Sequence, residues 1–227
     1  KRLVTVSEFS KNDIVAQFGV PSDSIDVVYN APDSIYAQGT TAERAAGGRF
    51  TDDRPYFLFV GSLHPRKNLN GLLEAFEMYR ADGGTRELLI VGAGMWSASE
   101  TPQDGVHYAG RLGRDELAQV MRGAEGLVFV PWFEGFGVPI VEAFASGVPV
   151  IASNTTAMPE VCGGAAAALV DPANAAEIAE AMQRLEADEA LRNRAVEAGL
   201  ARASEFSWDT SANQLMASIQ TVLASHA

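Results

Sequence analysis

Two carboxylates and two cations stand in this sequence where they could do chemistry. Glu134 and Glu142 lie eight positions apart in FEGFGVPIVEAFASG, residues 133–147, and Arg66 and Lys67 lie in GSLHPRKN, residues 61–68. Arg66 can fork two oxygens of a phosphate, and Lys67 adds a point charge. Gly61 lets a ligand approach the backbone closely. Cations placed just ahead of a helix oppose its macrodipole by roughly a few tenths of a kcal/mol each, a conflict that an anionic ligand would remove. A solvated basic pair is the plainer alternative. Glu134 stands among the aromatics Trp132, Phe133 and Phe136. A carboxylate there could orient sugar hydroxyls or stabilise positive charge developing at a sugar carbon. Glu142, in the first turn of the next helix, could accept two hydrogen bonds from a ribose diol, although a carboxylate is favourable in a first turn without any ligand.

These residues need a frame to hold them. Leu127, Val128, Phe129 and Val130 read as a short buried strand. Pro139 suits the first position of a helix. Ile140, Val141 and Phe144 share a helical face, and Gly147 with Pro149 ends it. Strand, glycine loop and helix N-terminus in that order aim unpaired backbone N–H groups and a partial positive charge into the loop, where phosphate is the usual guest.

From residue 55 onward strands are expected at 56–60, 87–91, 106–109, 127–130, 148–152 and 167–170, with helices at 69–81, 114–122, 173–187, 189–203 and 208–225. Strands alternating with helices predict an α/β fold, a doubly wound parallel sheet of Rossmann-like kind. In the order 3-2-1-4-5-6 the sheet reverses direction between its first and fourth strands, and ligands bind beyond the carboxyl ends of those two. The loops at that place are the two that carry Arg66, Lys67 and Glu134. Ahead of this unit come a strand at 3–6, a helix capped by Ser7 and ended by Gly19 and Pro21, and a strand at 25–29. These are too few elements for a domain and read as the end of one whose bulk lies elsewhere. Residues 31–54, rich in Gly, Ala, Thr and Asp and of weak periodicity, read as a linker or loop region.

Composition narrows the partners. The chain has 227 residues, 47% of them hydrophobic and 20% charged, with a formal net charge of −12. That is globular material with length for a real core, and it lacks the basic face of a nucleic-acid binder. No apolar run is long enough to span a bilayer, no signal peptide is visible, and one cysteine permits no internal disulfide, so a cytoplasmic setting is expected. The start at Lys1 suggests a fragment of a longer protein. Gly92-Ala93-Gly94 lacks the third glycine of a dinucleotide fingerprint. Cys162 has no evident base partner, and His107 and His226 have no metal-ligand spacing. His64 lies in the first crevice loop and stays open as a donor contact. Glu160 reads as the cap of a short turn.

The spacing of Glu134 and Glu142 within EGFGVPIVEAFASGVPVIAS resembles the EX7E signature of glycosyltransferase family 4 (group 1), retaining enzymes of GT-B fold. The likeness extends over nearly the whole chain: VTVSEFSKNDI, IDVVYN, FLFVGSLHPRKNLNGLLEAF, LLIVGAG, VHYAGRL, SNTTAMPEV and the closing FSW helix follow in family order. It implies the C-terminal half of a GT-B fold: residues 1–30 as the last elements of the acceptor domain, 31–54 as linker, 55–205 as the nucleotide-sugar domain and 206–227 as the C-terminal helix. It further implies that Arg66 and Lys67 hold the donor diphosphate and Glu142 the ribose. Glu134, with the backbone of Gly135, Phe136 and Gly137, would contact the donor sugar, and Val138, Arg111 and Leu112 would lie near ribose and base. The family needs no metal and no cofactor, and no Asp-x-Asp motif occurs here. The implied donor is a GDP-, UDP- or ADP-linked sugar and the implied acceptor a glycan or lipid-linked glycan, with peripheral membrane contact through the missing domain. SNTTAMPEV and EGFGVPIVEAF look most like bacterial mannosyl- or hexosyltransferases of surface polysaccharides. NAPD at residues 30–33 departs from the Asn-Gly common in relatives. A sugar-nucleotide 2-epimerase of the same fold and a non-catalytic nucleotide-binding module are the alternatives.

Overall fold

The structure is a computed structural model that describes residues 1–93 and 103–224. Gly94, His226 and the end of the helix expected to reach residue 225 lie outside these. In chain order the elements are β1 (Leu3–Thr5), α1 (Glu8–Phe18), β2 (Ile25–Val27), α2 (Thr41–Ala45), β3 (Tyr56–Val60), α3 (Leu69–Ala81), β4 (Glu87–Val91), β5 (Val106–Gly110), α4 (Arg114–Gly123), β6 (Gly126–Phe129), α5 (Val138–Ala145), β7 (Val150–Ser153), α6 (Met158–Cys162), β8 (Ala168–Val170), α7 (Ala175–Ala187), α8 (Glu189–Ala203) and α9 (Trp208–Ala224).

Strands β3 to β8 form one parallel sheet in the order β5-β4-β3-β6-β7-β8, which is the predicted 3-2-1-4-5-6 arrangement. Every residue of β3, β4, β6 and β7 is buried, because helices cover both faces and leave no solvent side. Side chains alternate between two cores. Phe57 and Phe59 pack with Leu72 and Phe76 of α3 and Ile178 and Met182 of α7. Tyr56, Leu58 and Val60 pack with Met121 of α4 and Val141 and Phe144 of α5. Each such fully buried side chain contributes about 1.5–3 kcal/mol, so these two layers fix the positions of the strand ends.

The structure differs from the sequence reading at several points. Residues 31–54 are not without structure: α2 and a 3-10 turn at Ala46–Phe50 pack on α4. No apolar period marks this stretch, because its order comes from close backbone packing. A Cβ on Gly47 would sit 3.0 Å from the Cα of Gly123. Helix α5 starts at Val138, so Pro139 occupies its second position. Helix α6, with Pro159 in its first turn, was not anticipated.

Strands β1 and β2 pair in parallel as a separate two-stranded sheet. Helix α9 returns to them, and Ser211 Oγ donates to the Tyr29 carbonyl at 2.6 Å. The Tyr29, Phe136 and Phe206 rings meet within 6.0 Å centroid to centroid. The first segment and the last helix thus converge on the loop that follows β6.

Candidate functional site

Because β3 and β6 are neighbours, the loops that follow them are neighbours too. Trp132 N–H donates to the Arg66 carbonyl at 2.9 Å. Between β3 and α3, Asn68 takes a left-handed conformation (φ 59°). Its buried side-chain amide donates to the carbonyls of Val130, at 3.1 Å, and Pro172, at 2.8 Å. Asparagine tolerates that backbone region and satisfies two buried carbonyls at once. His64 Nδ1 accepts from the Arg66 N–H at 3.2 Å and so caps the short 3-10 turn Pro65–Lys67.

Arg66, Lys67 and Glu134 converge on one point. Arg66 Nη1 lies 2.7 Å from Glu134 Oε2 and donates to the Phe133 carbonyl at 3.2 Å. Lys67 Nζ pairs with the same carboxylate oxygen and lies 4.8 Å from the centre of the Phe129 ring. Lys67 is buried, and its ammonium is tolerable there because it is paired and faces an aromatic ring. Arg66 is half-exposed. Two cations against one carboxylate leave a local excess of one positive charge, open to solvent through Arg66.

The PWFEGFG loop ends at Gly137, whose φ of 94° opens α5. A side chain there would be strained and would press on Met158, with a Cβ 3.0 Å from its Cε. The backbone N–H groups of Gly135, Phe136, Gly137 and Val138 meet no acceptor among the described residues. Val138 itself is half-buried.

Glu142 is not in the first turn of α5, which holds no acidic residue, so the helix macrodipole does not account for it. Burial pushes its carboxyl up to about 7, the Asp33 carboxylate adds to the rise, and a hydrogen bond from the Tyr36 hydroxyl opposes it. Arg114 pairs with Asp33, and among the described residues no cation pairs with Glu142. A buried carboxylate without a cation gains from hydrogen-bond donors, and a diol supplies two.

A Cβ on Gly61 would rest at 3.7 Å on the Lys67 stem, and at Gly92 (φ 152°) a Cβ would overlap the Gly61 carbonyl oxygen. Arg111 and Leu112 follow β5, two strands from β3 in the sheet order, and Leu112 packs against the core layer that holds Phe136 and Val141. Glu160 caps no turn of its own. Its carboxylate accepts from the Glu8 N–H at 2.8 Å, the Phe9 N–H at 2.9 Å and the Tyr29 hydroxyl at 2.9 Å, and so caps α1 across the fold. His107 Nε2 lies 2.8 Å from the buried carboxylate of Glu87, a structural pair. Burial pushes the Cys162 thiol up to about 12, which makes it a poor nucleophile. A cavity of about 460 Å³ at the opposite end of the sheet is lined by Arg44, Arg54, Arg122 and Arg192. Arg54 there is tied to Glu87, and Arg122 and Arg192 to backbone carbonyls. Ser7, Tyr36 and Asn68 carry site geometry that the sequence reading did not assign to them.

Among the described residues no helix is long and apolar enough to cross a membrane. Against known proteins, residues 41–202 match the family model described as glycosyl transferases group 1. The chain is 33% identical to the O-antigen chain mannosyltransferase B of Escherichia coli, over 94% of this chain and 59% of that protein. It is 32% identical to the MMP alpha-(1->4)-mannosyltransferase of Mycolicibacterium hassiacum, over 98% of this chain and 54% of that protein. The chain therefore spans little more than half the length of these relatives. Anabaena HepE, solved in complex with UDP and glucose, superposes with a TM-score of 0.84 at 18% identity, over 96% of this chain and 62% of that one. The sucrose-phosphate synthase of Thermosynechococcus elongatus superposes with a TM-score of 0.80 at 22% identity, over 98% of this chain and 58% of that one. With the doubly wound sheet, the paired loops at its switch point and a family match covering most of the chain, this chain belongs to the group 1 glycosyl transferases.

Proposed function

We propose that this chain is the donor-binding part of a retaining hexosyltransferase that moves a sugar, mannose foremost, from a nucleotide diphosphate sugar to a glycan or lipid-linked acceptor. The observation that carries this reading is the convergence of Arg66, Lys67 and Glu134 at the sheet's switch point, beside a loop with four N–H groups that meet no acceptor among the described residues. Arg66 and Lys67 neutralise the diphosphate as it leaves, and Glu142 accepts from the ribose diol. Glu134 and the loop N–H groups hold the sugar. The bond from the anomeric carbon to phosphate breaks, the acceptor oxygen bonds that carbon on the same face, and the acceptor proton passes to the leaving phosphate. The two cations serve the role a divalent ion would otherwise fill, so turnover is expected to withstand EDTA. The two mannosyltransferase relatives support mannose, and the O-antigen chain enzyme supports a surface-polysaccharide acceptor. A nucleotide-sugar donor fits a cytoplasmic site. Residues 1–30 and 31–54 serve as the end of an acceptor domain and a linker.

The test is a thermal-shift and calorimetric titration of the chain with GDP, UDP, ADP and their hexose conjugates, beside Arg66→Ala. A bound donor at a hundred times its dissociation constant adds about 2.7 kcal/mol of stability. Selective binding of one diphosphate, weakened by about 1.5–3 kcal/mol in Arg66→Ala, supports the site. Equal affinity of the variant removes Arg66 from it.

A further inference from the structure

Helix α1 reaches the glycine loop through two hydroxyls. Ser7 is buried and caps α1, its Oγ accepting the Ser10 N–H at 3.0 Å. The same Oγ lies 2.6 Å from the carbonyl oxygen of Gly135. Ser10 Oγ lies 2.9 Å from Ser7 Oγ and 3.3 Å from that carbonyl. A carbonyl only accepts, so the serine protons point at it. The preceding carbonyl, of Glu134, accepts the Ala157 N–H at 3.4 Å. Helix α1 is itself anchored beside the loop by the Glu160 carboxylate on its first N–H groups and by the Phe9 ring, edge-on to Phe133 at 5.7 Å.

A planar trans peptide points its N–H opposite to its C=O. With the carbonyls of Glu134 and Gly135 held by Ala157 and α1, the N–H groups of Gly135 and Phe136 are turned the other way, and neither finds an acceptor among the described residues. The approach is close: a Cβ at Gly135 would stand 3.3 Å from Ser10 Oγ, and the serine would have to give by a few tenths of an ångström. We propose that Ser7, backed by Ser10, is a positioning residue that fixes the Gly135–Phe136 peptide so that its N–H is presented to an oxygen of the donor sugar. This rests on reading the crevice as a nucleotide-sugar site. It makes donor geometry depend on a helix that precedes the linker in the chain.

The experiment uses the full-length protein carrying this chain, with GDP-mannose, UDP-glucose and ADP-glucose as probes, and three variants. Ser7→Thr keeps both cap and donor. Ser7→Asp keeps the cap and loses the donor. Ser7→Ala loses both. For the probe that wild type turns over, Ser7→Asp should lower kcat/KM about tenfold or more, with Ser7→Thr near wild type and the affinity for the bare diphosphate unchanged. Should aspartate disrupt the fold, Ser7→Ala is read against Ser7→Thr with its melting temperature recording the lost cap, and a fall in kcat/KM at unchanged diphosphate affinity recording the lost donor. Wild-type kcat/KM in Ser7→Asp, or equal loss in Ser7→Thr, overturns the positioning role alone. An equal loss of diphosphate affinity overturns its placement at the sugar. A wild-type protein that neither binds nor turns over any probe overturns the donor-site reading and this inference with it.

Discussion

Glu134 has two roles that pull in opposite directions. Its carboxylate pairs with both Arg66 and Lys67 and offsets one of their two charges. On the proposed function, those cations would serve the diphosphate and the carboxylate the sugar once donor binds. Glu134→Gln should therefore leave diphosphate affinity equal or tighter, since a competitor for the cations is gone, while turnover in the full-length protein falls steeply. Parallel loss of both would make the residue structural. Glu142 gives a pH signature. Its folded carboxyl titrates near 7, raised by burial and then by Asp33, from an ordinary value near 4.5. The folded state then binds more protons than the unfolded state between those values, and stability falls as pH rises from about 4.5 to about 7. Glu142→Gln should flatten this slope in urea melts across that range and weaken nucleoside diphosphate binding at pH 8. An unchanged slope would show that Glu142 is not the titrating group. The groups facing it are Asp33 and Tyr36, with Arg114 already committed to Asp33.

At the scale of elements, the site is built where strands end and is held by contacts between loops. Asn68 and Glu160 are the two clearest examples. Asn68→Ala strips two buried carbonyls of their donor and places a Cβ-bearing residue without a compensating hydrogen bond in the left-handed region. About 2–4 kcal/mol of stability should go, measured by denaturant midpoint, and Asn68→Gly should recover only the backbone part. Glu160→Gln keeps the size of the side chain but weakens the charge-assisted caps on Glu8 and Phe9. It should loosen α1 by about 1–2 kcal/mol, read as faster amide exchange at the start of that helix with the sheet unaffected. Uniform exchange along the chain would mean that α1 is held by other contacts.

At the scale of the whole molecule, the sheet is proposed to supply donor binding, and the remaining length of the relatives is expected to supply the acceptor site. The chain alone should bind the nucleotide sugar and transfer nothing, and activity should appear only in the full-length protein. Transfer by the chain alone would place the acceptor site within it. The sequence by itself determined the alternation of strands and helices and, on the assumed order 3-2-1-4-5-6 that the structure bears out, the two loops at the switch point. Periodic burial repeats every two or 3.6 residues and is written locally, and right-handed crossovers leave few ways to order six parallel strands. It also singled out Arg66, Lys67, Glu134 and Glu142, because charged residues in glycine-rich loops stand out against an apolar background. Only the tertiary structure decided that one carboxylate pairs with both cations, that Glu142 shares its pocket with Asp33 and Tyr36, and that Glu160 caps a helix 151 and 152 positions away. It likewise decided that α2 forms in a stretch without pattern, and that Ser7 holds the peptide of Gly135. Each of these is a contact between groups distant in the chain, and such contacts leave no periodicity to read.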